Sequence, residues 1–326
     1  MATKGVVLLS GGLDSSLAAL LAKSAGIDVT GLYFAAPFMK APSRESLLEL
    51  AQQLGVPMVI KSVGLDFLET LKRPKHGYGK NVNPCVDCKI HMFRRAKELM
   101  DALGIDVLIT GEVVGQRPMT QLYGRLKLIE REAGLEGRIV RPLSAKLLEP
   151  TSFEASGSID REKFASIRGR SRKKQFELAN KLGLTKYQTP AGGCQLTNPN
   201  FARRTFDLLE NSEKITFKDI SLLKHGRHIR LDSAKVIMGR NQEENEYLFA
   251  RRSWAQASLW PIGFGGPLAL AFGNLSHKDA LWVARAIARY GKRAHNVKVG
   301  FLHLEREAVI EVENPLDDTE LKKSLL

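Results

Sequence analysis

Cysteine is scarce in this 326-residue chain: Cys85, Cys88 and Cys194 are all it has. An odd, small set of thiols argues against a disulfide framework and leaves metal binding or sulfur chemistry as their use. Long apolar runs and a signal-peptide pattern are both missing, so the expected location is the cytoplasm and no membrane partner is expected. Internal repeats and low-complexity tracts are missing as well, which argues against a solenoid or a disordered array. Acid is in short supply, with 35 Asp and Glu against 49 Lys and Arg and a net charge of +14. Such an imbalance favours a polyanionic partner, nucleic acid above all. What is present is 44% hydrophobic residues, enough for two domains with ordinary cores.

The first two-thirds alternates strand and helix patterns. Strands are expected at 5–10, 28–35, 57–63 and 106–112. Helices are expected from the loop after the first strand to Gly26, at 43–55 with Ser43 as N-cap, and from Lys89 to Gly104. This order implies an α/β domain, with a parallel sheet covered on both faces and ligands bound at the carboxyl ends of its strands. Near residue 200 the pattern changes. Residues 215–249 read as short strands, turns and a helix start, 276–291 as a helix capped by Ser276, and 297–314 as a β-hairpin. The expected division is a domain over 1–200 and a smaller α+β domain over 201–326.

Charge is uneven. Residues 71–97 carry eight basic residues against one acid, Asp87, and residues 161–190 carry nine against two; residues 201–326 sum to only +4. The two clusters are candidate phosphate contacts, with Lys89, Arg94, Arg95 and Lys97 in the first and Arg170, Arg172 and Lys173 in the second. Solvated faces explain such clusters equally well.

The stretch "GVVLLSGGLDSSLAALLAK" (5–23) holds Ser10, Gly11, Gly12, Leu13, Asp14, Ser15 and Ser16 between a strand and a helix. Glycines let successive backbone N–H groups turn around an anion, the helix start adds positive potential, and the serines add donors. Asp14 would repel a bare phosphate, so its expected role is to hold Mg²⁺ bound to phosphates. The lysine of a Walker loop is absent, since that place falls on Asp14 or Ser15.

The string resembles the SGGxDSS loop of the PP-loop ATP pyrophosphatases. "NPCVDCKIHMF" and "PAGGCQLTNPNF" are similar to the NPxxxC and GGC elements of the tRNA thiouridine synthetases in that family. "TGEVVGQRPMTQ" (110–121) resembles the TGExxGQ segment of the branch that makes 4-thiouridine. The resemblance spans about residues 1–205. It implies a PP-loop, adenine nucleotide alpha hydrolase-like fold, ATP cleaved between its α- and β-phosphates, and an adenylated uridine whose ring oxygen is replaced by sulfur. It also implies a 4Fe-4S cluster on Cys85, Cys88 and Cys194. Spacing supports the cluster: C-x₂-C is a common thiolate pair, and a third thiolate 106 residues on leaves one iron without a protein ligand. Structural zinc with His76 or His91 as fourth ligand, and a persulfide route through a disulfide to Cys194, stay open.

The expected catalytic set is Asp14, Glu112 and the three cysteines. Ser10, Gly11, Gly12, Asp14, Ser15, Ser16, Tyr33, Gly111, Gln116 and Arg117 are expected at ATP, with Tyr33 and Phe34 flanking adenine or simply packing in the core. "GRHIRLDSAKVIMGRNQEENEYL" (226–248) resembles the NFACT RNA-binding domain through its "GRNxxEN" turn. The amino-terminal THUMP module of the classical synthetases has no counterpart here, so this domain is expected to replace it as the RNA grip. The expected partners are tRNA and a sulfur donor, either sulfide or a carrier or desulfurase, with a homodimer left open. Competing readings are a 2-thiouridine synthase, a non-catalytic RNA-binding protein switched by ATP, and a PP-loop amide synthetase, for which no glutaminase-like segment is present.

Overall fold

A computed structural model describes residues 2–39, 42–187, 194–291, 295–303 and 306–326. The chain divides into two compact units, Met1–Asn198 and Pro199–Leu326. Among the described residues, no helix is long and apolar enough to cross a membrane.

The first unit runs β1 (Lys4–Leu8), α1 (Leu13–Ser24), β2 (Asp28–Ala35), α2 (Arg44–Leu54), β3 (Met58–Ser62), α3 (Phe67–Lys72), α4 (Cys85–Leu103), β4 (Val107–Ile109), α5 (Tyr123–Ala133), β5 (Ile139–Val140), α6 (Ser152–Ala155) and α7 (Lys173–Lys181). Its five strands lie in the order β3-β2-β1-β4-β5, all parallel, the architecture that the alternating pattern predicts. Chain order reverses between β1 and β4, and a crevice at their carboxyl ends is where such sheets bind ligands. Val7, Leu9, Leu17, Val107 and Ile109 are buried in one core cluster that joins the sheet to α1. Ser43 caps α2 as expected, accepting from the Ser46 amide at 3.1 Å.

One boundary moves in a way that matters. The helix expected from Lys89 begins at Cys85, so Cys85 and Cys88 both sit in its first turn. Pro84 precedes it, and Asp87 lies buried in that turn. Its carboxylate accepts from the Lys75 and His76 amides, 3.0 Å each, and so ties the preceding loop to the helix start.

The second unit runs α8 (Pro199–Asn211), α9 (Phe217–Leu222), β6 (Arg227–Arg230), β7 (Ala234–Met238), α10 (Gln242–Phe249), β8 (Ala257–Ile262), β9 (Ala269–Gly273), α11 (His277–Tyr290), β10 (Val297–His303), β11 (Arg306–Val312) and α12 (Asp318–Ser324). Its antiparallel sheet has the order β11-β10-β8-β9-β7-β6. Helix α11 is capped by Ser276, as read, and packs its Ala/Val/Ile face into a core with Ile229, Val236, Leu259 and Ala271. The hairpin expected over 297–314 is β10–β11. This unit starts at Pro199, the first residue of α8, two residues before the boundary drawn from the sequence.

Candidate active site

The loop after β1 is shaped by its own residues. Gly11 has φ +81°, a conformation that disfavours a side chain. Gly12 is the N-cap of α1 and offers no side-chain cap, so the first amides of the helix stay open to an anion. Ser15 Oγ donates to the Gly12 carbonyl at 2.9 Å and lies 3.2 Å from Ser10 Oγ; Ser16 Oγ donates to the same carbonyl at 3.1 Å. Gly111, just past β4, presses against this turn. A Cβ there would stand 2.6 Å from the Asp14 carbonyl and the Ser15 amide nitrogen.

Asp14 anchors a polar cluster drawn from three parts of the chain. Its Oδ2 accepts from Gln116 Nε2 at 3.0 Å and from Arg172 Nη2 at 3.3 Å. Fully buried Gln175, on α7, donates to Gln116 Oε1 at 3.4 Å. Two buried oxygens have no partner: Asp14 Oδ1 and Gln175 Oε1. Both are hard donors of the kind Mg²⁺ takes. Arg172 is the residue that sequence reasoning misplaces. It falls among the candidate phosphate contacts of a basic cluster, yet its guanidinium reaches Asp14, 158 positions away. Gln175 carries no sequence signal that would single it out.

Glu112 is buried (4% exposed) and accepts from Lys89 Nζ at 2.6 Å, Arg141 Nε at 2.8 Å and Thr110 Oγ1 at 3.1 Å. Arg141 also binds the buried Glu130 carboxylate. Burial opposes the charge on Glu112, but the Lys89 and Arg141 cations overcome it and hold the carboxyl at about 2. The group is thus a fixed anion that locks α4 and the loop after β5 to the segment after β4. Lys89, expected as a phosphate contact, is spent here.

The three cysteines are free thiols. Cys194 leads the turn that docks at the end of β2: Gln195 donates its amide to Phe38 O at 3.0 Å, and Cys194 Sγ lies 3.8 Å from the same oxygen. Asn81 Nδ2 donates to Thr197 O at 2.7 Å, tying the loop before Cys85 to the turn after Cys194. The thiols feel one another. Burial pushes Cys88 up to about 12, with Cys194 and Cys85 adding to the rise and Lys89 opposing it. Burial also raises Cys85, against a hydrogen bond from Asn83 and the charges of Lys89 and Arg117, and raises Cys194. Among the described residues, no three His, Cys, Asp or Glu side chains converge as ligands of a single metal ion. The two histidines considered as zinc ligands are engaged elsewhere: His76 Nε2 lies 3.1 Å from Glu132, and His91 Nε2 lies 2.8 Å from Val63 O. Gly192 and Gly193 of the GGC element lie outside the described residues.

The segment 110–117 joins the two halves of the site. Gln116 binds the loop aspartate, and Glu112 binds Lys89, which follows Cys88 on α4. Tyr33 and Phe34 are buried within β2, 6% and 8% exposed. The other three candidates named in the first cluster are paired: Arg94 with Glu132 O, Arg95 with Asp66 and Glu98, and Lys97 with Asp101.

The "GRNQEEN" turn of the second unit is satisfied internally. Asn241 caps α10 by accepting from the Glu244 amide at 2.9 Å, and Glu244 accepts from the Arg240 amide and Nε, 2.9 Å each. Asn245 Oδ1 accepts from the Leu268 amide at 3.1 Å. Gly239 is required, because a Cβ would meet that oxygen at 2.0 Å.

Residues 1–146 match the family model of the thiamine biosynthesis protein (ThiI), and residues 226–324 match that of the NFACT protein RNA binding domain. The chain thus carries a ThiI-type PP-loop domain and an NFACT-type domain. It is similar to a probable tRNA sulfurtransferase of Acholeplasma laidlawii, 32% identical over 43% of this chain and 34% of that protein. It is also similar to the tRNA-specific 2-thiouridylase MnmA of a Nitratiruptor species, 32% identical over 34% of this chain and 35% of that protein. The chain therefore spans about a third of the length of these curated relatives. A 4-thiouridine synthetase–RNA complex with bound ATP superposes with a TM-score of 0.37 at 24% identity, over 56% of this chain and 52% of that one.

Proposed function

We propose that this protein is an ATP-dependent tRNA uridine thiolase, with 4-thiouridine as product. The observation that carries the reading is the segment 110–117: Gln116 binds the loop aspartate, and Glu112 binds Lys89, the residue after Cys88 on α4. That link supports nucleotide activation and sulfur chemistry at neighbouring places. The loop amides and serines would hold the β- and γ-phosphates, and Asp14 Oδ1 with Gln175 Oε1 would be the ligands offered to Mg²⁺, which would supply charge neutralisation for the leaving pyrophosphate. Arg172, paired with Asp14, is the cation beside this loop. The α-phosphate is then attacked by the uridine oxygen, pyrophosphate leaves, and sulfur displaces AMP.

Cys85, Cys88 and Cys194 suit a 4Fe-4S cluster better than a persulfide. Half-buried thiols held above their ordinary range are poor nucleophiles, whereas a metal's charge would offset both desolvation and mutual repulsion. They suit it better than zinc because structural zinc takes four ligands, and the two candidate fourth ligands, His76 and His91, lie against Glu132 and Val63 O. When bound, the cluster supplies one iron free of protein ligand for exogenous sulfide. The competing reading is 2-thiouridine synthesis by a persulfide; in its favour, a 2-thiouridylase matches at the same 32% identity as a sulfurtransferase.

Anaerobic reconstitution, with iron and sulfide analysis and nucleoside analysis of unmodified tRNA after reaction, tests the proposal. Each of Cys85→Ala, Cys88→Ala and Cys194→Ala is expected to lose both cluster and thiolation. Full thiolation by iron-free protein, with one cysteine dispensable, would establish the persulfide route instead.

A further inference from the structure

We propose that the groove between α10 and the β8–β10–β11 end of the second unit's sheet, beside the core that α10 packs on, is a single-stranded RNA site that stacks an unpaired guanine on half-buried Trp260. The proposal rests on the RNA-binding reading of this unit. Arg240, Asn241, Glu244 and Asn245 of the motif are bonded within the unit, and the motif's Gln242 and Asn245 also line the groove beside it.

The strand register places Trp260, Gly300 and Val309 side by side across β8, β10 and β11. A Cβ at Gly300 would stand 2.3–2.6 Å from three atoms of the indole, so the ring lies directly on the backbone there. Glycine at 300 is what lets a large ring lie down on the sheet. Val309 is 56% exposed and Phe249, at the end of α10, is 57% exposed, the highest values among the large hydrophobic side chains. The Arg252 guanidinium covers Phe249, 4.3 Å from the ring centroid. Trp260, Phe249, Arg252 and Leu302 line a groove of about 530 Å³, a size that suits a base. Flat aromatic surfaces beside an arginine are how proteins hold unstacked bases.

The polar lining selects among bases. Glu246 and Glu307 present carboxylates, and Gln242 donates its amide N–H to Glu246 at 2.8 Å, which leaves its oxygen as an acceptor. The groove is therefore rich in acceptors. Guanine offers two adjacent donors, N1–H and the exocyclic amine, to one carboxylate. Adenine and cytosine turn a bare ring nitrogen toward it, and uracil offers a single N–H between two carbonyls that the carboxylate repels.

The test uses the full chain and oligouridine hexamers carrying one central G, A, C or U, read by Trp fluorescence and by anisotropy of a labelled end. The G hexamer is expected to bind about tenfold tighter than the others. Trp260→Leu and the surface change Phe249→Ala should each weaken it about tenfold, and Glu246→Gln should remove the base preference. Equal binding of all four hexamers, or wild-type affinity in Phe249→Ala, would overturn the proposal. If unmodified tRNA still binds in that case, the RNA reading of the unit stands without this groove. If wild-type protein binds neither tRNA nor hexamers, the RNA reading itself fails and the groove proposal with it.

Discussion

The two units use their signature residues in opposite ways. In the first, the loop residues leave things undone: open helix amides at Gly12, an unpartnered Asp14 Oδ1 and an unpartnered Gln175 Oε1. In the second, Gly239, Arg240, Asn241, Glu244 and Asn245 satisfy one another and the start of β9. A motif string alone does not separate these cases; accounting for each polar atom does. Asp14 and Gln175 keep oxygens that a ligand can take, and the motif residues of the second unit spend theirs on the scaffold.

Substitutions can sharpen this contrast. Asp14→Ala should lower AMP formation from ATP by about 10²–10³-fold, the scale of losing a placed electrostatic group, with no change in the urea stability of the second unit. Asn245→Ala should do the reverse, leaving ATP cleavage unchanged. Within the first unit, Glu112→Ala strands the Lys89 and Arg141 charges and should cost about 3–5 kcal/mol, seen as faster hydrogen exchange over residues 85–145 only. In the second unit, Asn245→Ala leaves the Leu268 amide unpaired and should cost about 1–3 kcal/mol, seen as faster exchange in β9 and α10.

The smallest expected effect separates the units by pH. Glu112 is held at about 2, below its ordinary 4.5, so its ionised form stabilises the first unit above pH 4.5; that contribution fades as pH falls toward 2. His228, fully buried, is pushed well below its ordinary 6.5 by burial and by Lys235 and Arg204. The unfolded chain takes up that proton first, so the second unit loses stability as pH falls below 6.5. Exchange between pH 6.5 and 4.5 should therefore quicken around β6 and not around β4. Equal acid sensitivity of the two would contradict both assignments.

Much of this is legible in the sequence wherever a property depends on neighbours along the chain. The parallel sheet follows from alternating apolar runs, the caps at Ser43 and Ser276 from residue type, and the loop at Ser10–Ser16 from consecutive glycines and hydroxyls. Features set by distant partners are not legible. The start of α4 at Cys85 depends on Asp87 meeting the Lys75 and His76 amides. Helices α5 and α7 are not anticipated, and with α7 goes Gln175. Arg172 looks like one of nine basic residues until its contact with Asp14 is seen, and Lys89 looks solvated until Glu112 is. Trp260 over Gly300 needs the strand register.

The central claim is that the loop holds a pyrophosphate leaving group, so that ATP is cut between its α- and β-phosphates to activate a uridine. Incubating the protein with unmodified tRNA, Mg²⁺ and ATP labelled at the α-phosphate tests it most directly. The account predicts labelled AMP, formed only with tRNA and lost in Asp14→Ala. Labelled ADP in place of AMP would contradict it.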